Sequence, residues 1–137
     1  MHSRLMATCL ITCHMNVGTL MLAHNTNSSH AYMVQPYNGH HPYTQVCVGG
    51  WQYALTGVYY CGYLGADGRL QPLYIGRAIG DGGIRGRLLD HLRDDVWPGV
   101  THFGFAVCAT AQEAITHEAA EIRRFQPRFN TQGKSYG

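Results

Sequence analysis

Residues 56–76 read TGVYYCGYL, GADG, RL, QPLYIG. Two β-branched and aromatic runs enclose an Asp-Gly turn signal, which predicts an antiparallel hairpin. Pro72 cannot donate to a ladder, so the returning strand belongs at a sheet edge or begins near that residue. A two-stranded hairpin is not stable alone, and the downstream residues supply what must cover it. Residues 79–84 (IGDGGI) form a Gly-rich loop in which Asp81 is placed to cap a helix. Ile84, Leu88 and Leu92 then recur at four-residue steps and define an apolar seam. Trp97-Pro98-Gly99 ends that helix. Residues 101–108 (THFGFAVC) alternate, with Phe103, Phe105 and Val107 on one face, and predict a third strand. Thr110 with Glu113 forms a capping box, and a second helix is expected from Ala111 to about Phe125, limited by Pro127. The order read from the residues is β-β-α-β-α, with no repeats.

Ahead of the hairpin the composition changes. Residues 1–50 contain one charged side chain, Arg4, whereas residues 51–137 hold all eight acids and nine of the ten basic residues. The segment 24–50 is rich in His, Asn, Ser, Tyr and Gly and has neither helical nor strand periodicity. Few apolar groups there offset the entropy of ordering. The expected division is a low-order, His-rich tail over 1–50 and a folded domain over 51–137. Cys9, Cys13 and His14 do not complete a four-ligand zinc set. The five cysteines are odd in number and irregularly spaced, so free thiols in a cytoplasmic protein are expected. Residues 4–23 are interrupted by His14, Asn16 and threonines, which argues against a signal peptide. No apolar run is long enough for a membrane span. The net charge of +2 on 137 residues does not demand a polyanionic partner.

Some side chains fit a packing role poorly. In the second helix, Ala111, Ile115 and Ile122 mark an inward stripe on which Glu118 also lies, while Glu113, Glu121 and Arg124 can face outward. An inward carboxylate requires a partner, either an arginine or a bound cation. In the first helix Arg87 and His91 share a face, either as a solvated face with Arg87 bridging Asp90 or Asp94, or as a functional pair. Tyr59 and Tyr74 lie on paired strands, where aromatic packing alone would also account for them. Taken together these groups suit phosphodiester hydrolysis. Glu118 would hold a hard divalent cation, Arg87 a phosphate oxygen, and a tyrosine or His91 the proton of the attacking water.

Gly57-Val58-Tyr59, Tyr74-Ile75-Gly76, Arg87 with His91, Glu118, and QPRFN ending at Asn130 together resemble the GIY-YIG nuclease family over residues 56–131. The resemblance implies a small α+β domain with a three-stranded antiparallel sheet flanked by helices, and a DNA endonuclease using one divalent metal, Mg²⁺ or Mn²⁺. It assigns Tyr59 as general base or relay, Tyr74 as the group orienting water or phosphate, and Arg87 as the phosphate ligand. His91 occupies a family His/Tyr position, and Glu118 is the metal ligand. Gly76 would give clearance at the strand end, Arg77 would contact phosphate, and Asn130 would fix the chain after the second helix, with Arg85 competing for the role of Arg87. Fourteen residues separate Tyr59 from Tyr74, more than the family commonly shows. The partner implied is DNA, with the chain a monomer or weak dimer. The alternative is a non-catalytic module of the same type that binds DNA structure without cutting it.

Overall fold

The computed structural model describes residues 34–51 and 54–131. Eight elements follow in order: β1 (Asn38–Pro42), α1 (Gln45–Gly50), β2 (Gly57–Leu64), β3 (Leu70–Ala78), α2 (Gly83–Asp94), β4 (His102–Val107), α3 (Ala111–Phe125) and α4 (Arg128–Thr131). The α+β class and the antiparallel pairing agree with the sequence reading, and β2-β3-α2-β4-α3 keeps the expected order. The sheet, however, has four strands, ordered β1-β4-β2-β3. The added strand and α1 fall within the segment expected to be a low-order tail. β1 pairs with β4, and Val48 and Trp51 are fully buried beside Phe105. Residues 38–50 are thus part of the domain. Cys9, Cys13 and His14 lie outside the described residues. Cys61 and Cys108 are free thiols, as expected, whereas Cys47 is disulfide-bonded.

Alternation along the strands divides the core in two. One face of the sheet carries Tyr59, Cys61, Phe103 and Phe105 against Ile84 and Leu88 of α2 and Val48 of α1. The other carries Val58, Tyr60, Ile75 and Ala106 against Ala114 and Ile122 of α3. The stripe of α3 is rotated from the expected one: Ala114 is buried, whereas Ala111 is exposed. Thr110 Oγ1 accepts from the Glu113 N–H at 3.1 Å, and Glu113 returns a carboxylate to the Ala109 N–H at 3.2 Å. Asp81 does not cap α2; the cap position is Gly82, and no side-chain bond is made there. None of the described helices is long and apolar enough to cross a membrane.

β3 is an edge strand, as Pro72 predicted, and its free side is held by one side chain. Asn130, buried in the four-residue α4, accepts from the Ile75 N–H at 2.7 Å and donates to the Ile75 carbonyl at 2.9 Å. A primary amide thereby replaces a neighbouring strand at the residue between Tyr74 and Gly76.

Candidate active-site cleft

Where β3 ends, the sheet edge opens into a cleft of about 370 Å³. Tyr59, Tyr74 and Arg87 line it from the α2 side, Arg77 and Glu118 from the α3 side, and Ile79 with Gly80 forms its lip. Residues on opposite faces of a sheet can share this space because it wraps around an edge. The Arg77 side chain leaves β3 toward α3, while Tyr74 and Gly76 face α2.

Tyr59 and Gly76 are opposed in the β2–β3 ladder. A Cβ at position 76 would overlap the Tyr59 hydroxyl and ring. The clearance expected at Gly76 is therefore filled by the Tyr59 phenol. Tyr59 is 1 % exposed, and its hydroxyl lies 2.9 Å from His91 Nε2. Burial and the neighbouring Tyr74 push its pKa well above the usual phenol value, although Arg87 acts in the opposite sense. Burial and the charge of Arg87 lower the pKa of His91 from 6.5 to about 4. At neutral pH a protonated phenol thus faces a neutral imidazole. The phenol donates to Nε2, which assigns the imidazole hydrogen to Nδ1.

The imidazole is packed as well as bonded. Trp97 stacks on Tyr74, with centroids 4.3 Å apart and planes at 23°, and lies 4.1 Å from His91. Sequence reasoning treated Trp97 only as part of a helix-ending tripeptide. The available signal was an aromatic residue six positions after His91, just beyond the helix that carries it.

Glu118 is 14 % exposed, and its Oε1 accepts from Arg77 Nη1 at 2.7 Å. Of the two partners open to an inward acid, the arginine is the one in place. Arg87, about half exposed, lies 3.5 Å from Asp90 and projects into the cleft. Arg85, the competitor for the phosphate role of Arg87, is committed elsewhere, and Asn130 fixes the chain as expected. Arg85 Nη2 donates to the Gly49 carbonyl at 2.9 Å, tying α2 to α1. The Asn130 amide is engaged at both ends by Ile75. The cleft therefore gathers Tyr59, Tyr74, Arg77, Arg87 and Glu118, with His91 bonded behind Tyr59. Arg85 and Asn130 are structural.

The described residues contain no group of three or more His, Cys, Asp or Glu side chains that would hold a metal ion. A zinc-type site, closed by three or four protein ligands, is not what Glu118 offers. One carboxylate at an open cleft fits a hard cation that keeps most of its waters, as Mg²⁺ does. Compared with known proteins, the chain matches no family model, no curated protein and no solved structure.

Proposed function

We propose that the cleft hydrolyses a phosphodiester bond of DNA, in the manner of the GIY-YIG nucleases its motifs resemble. The observation that carries this reading is the hydrogen-bonded run from the cleft through Tyr59 to His91, beside the exposed guanidinium of Arg87. A water in the cleft would donate to the Tyr59 oxygen while Tyr59 passes its own hydrogen to His91 Nε2. The high phenol pKa makes a standing phenolate unavailable, so Tyr59 works as a relay. His91 is a weak base because it is buried and stands beside the charge of Arg87, which Asp90 and Asp94 offset only in part. A phosphate bound to Arg87 would cancel one of the two causes that lower the imidazole pKa, so substrate binding would itself prepare the acceptor. Tyr74, held flat against Trp97, would fix the position of the water or of a phosphate oxygen.

Mg²⁺ or Mn²⁺ bound at Glu118 would supply charge stabilisation at the phosphate and leaving oxygen. Arg77 must then release the carboxylate, and being 44 % exposed it has room to turn toward the DNA backbone. The same ion pair favours the second reading, a DNA-structure-binding module whose acid stays neutralised by Arg77.

The test is incubation of the full chain with supercoiled plasmid and Mg²⁺ or Mn²⁺, alongside Glu118→Ala and a chelator control. The nuclease reading expects nicking that disappears in both controls, with an unchanged circular dichroism spectrum. DNA binding without nicking would transfer the chain to the binding-module reading. Equal nicking by wild type and variant would refute the assignment of Glu118.

A further inference from the structure

A second cavity, also about 370 Å³, opens on the sheet face opposite Tyr59, between the residues before β1, the start of β3 and the end of α3. Its walls are aromatic. The rings of Tyr37 and Phe125 stand at 81° and 86° to the ring of Tyr60, with centroids 5.3 and 6.5 Å away. Both flanking rings are exposed, Tyr37 at 41 % and Phe125 at 38 %.

The position of Tyr37 is built into the sheet. Its ring lies across Gly39 and Gly104, which oppose each other on β1 and β4. A Cβ at either glycine would overlap it. His40 holds the other end: its Nε2 donates to the Gly68 carbonyl at 2.8 Å, and Nδ1 lies 3.3 Å from the Tyr37 hydroxyl.

The polar groups have a matching arrangement. Tyr60 donates to Glu121 Oε1 at 2.7 Å, so His117 Nε2, 3.2 Å away, donates to the phenol oxygen. Glu121, expected from sequence to face outward, is only 12 % exposed. Arg124 lies over the Phe125 ring at 4.6 Å and 3.5 Å from the second oxygen of Glu121. Arg69, exposed on the opposite lip, makes no ion pair among the described residues.

We propose that this cavity binds a single unpaired nucleotide, its base between Tyr37 and Phe125 and its phosphate between Arg69 and Arg124. Aromatic walls and guanidinium groups together suit a planar ring joined to an anion, and the volume falls in the range of small-ligand sites. Glu121 narrows the class. Its remaining acceptor capacity asks for an N–H donor, which an exocyclic amine or imino group of a base provides and an aromatic carboxylate does not. The site stands whether or not the Tyr59 cleft cuts DNA.

The test is calorimetric titration of the full chain with the four common mononucleotides, a short single-stranded oligonucleotide, the nucleosides and inorganic phosphate. Saturable binding of at least one mononucleotide is expected, with its nucleoside and phosphate each about tenfold weaker or more. Phe125→Ala and Arg69→Gln should each weaken binding by about tenfold or more, on the scale of losing one base stack or one phosphate contact. Glu118→Ala should leave this binding intact, which separates it from any binding in the cleft. An oligonucleotide no tighter than the mononucleotide identifies a free nucleotide as the ligand, and a tighter one identifies a single strand. The proposal falls if neither nucleotide form saturates, if phosphate alone binds as well as the nucleotide, or if both variants bind like wild type.

Discussion

Asn130 holds both polar groups of Ile75 at once, and the consequence reaches the cleft because Ile75 lies between Tyr74 and Gly76. Asn130→Ala would leave a buried N–H and a buried carbonyl without partners, costing about 1–3 kcal/mol for each group left unsatisfied. A urea titration should show the lower midpoint, and nicking should fall with it as Tyr74 loses its anchorage. Asn130→Asp should not restore stability, since its carboxylate cannot donate to the Ile75 carbonyl. Tyr59→Phe makes a complementary case. Removing the hydroxyl ends the bond to His91 and should lower the nicking rate by about 10²–10⁴, the usual worth of a positioned proton-transfer group. The ring still fills the space over Gly76, so the urea midpoint should move little. Residue types at both positions could be singled out from the chain, but their work could not. Asn130 was expected to fix the chain after the second helix, but what it is fixed to was not legible because its partner is 55 positions away.

At the scale of elements, β1 and α1 were the ones missed. A five-residue strand and a six-residue helix are too short for a period to show, and their sequence, NGHHPYTQVCVGG, looks polar. The buried members are Asn38 and His41, bonded to each other through Asn38 Oδ1 at 2.9 Å, and the single turn that presents Cys47 and Val48. Trp51 joins this unit to the sheet, with its ring centroid 4.8 Å from that of Phe105. Trp51→Ala should cost about 3–5 kcal/mol, as large-to-small changes in a packed core do. Deleting residues 1–50 removes the neighbour of β4 and uncovers Phe103 and Phe105, so thermal unfolding of 51–137 should lose its cooperative transition. A sharp transition at the wild-type temperature would show that β1 and α1 contribute nothing to the core. The longer elements were legible because each repeats its signal: alternation through β2 and β4, four-residue steps through α2, and a Thr-Glu box at the start of α3.

For the molecule as a whole, two histidines with lowered pKa values make stability fall on the acid side. Burial is the main cause that lowers both His41 and His91 from 6.5 to about 4, joined by the charges of His40 and Arg87 respectively. Between those values the unfolded chain takes up protons that the native state refuses. The stabilisation is complete above about pH 6.5 and is lost as pH falls toward 4. Urea midpoints measured from pH 7.5 down to 4.5 should fall through this window, and a flat profile would contradict the two low pKa values. Charge acts on the proposed DNA partner in the same global way. With a net charge of +2 and two guanidinium groups at the cleft, plasmid affinity should be modest. Its logarithm should decline with log salt at a slope of about −2, as a filter-binding series would show.

By itself the chain determined the hairpin, the helix that follows it, the third strand, the capped second helix and the residue types of the cleft. All of these depend on neighbours within a few positions. Tertiary structure decided what those residues face. It paired Glu118 with Arg77 across 41 positions, placed Tyr59 in the space left by Gly76, turned Glu121 inward onto Tyr60, and added β1 to the far edge of the sheet. Each of these outcomes depends on strand register and on the rotation of α3 about its axis. Those are fixed by packing between distant segments, and no local period records them.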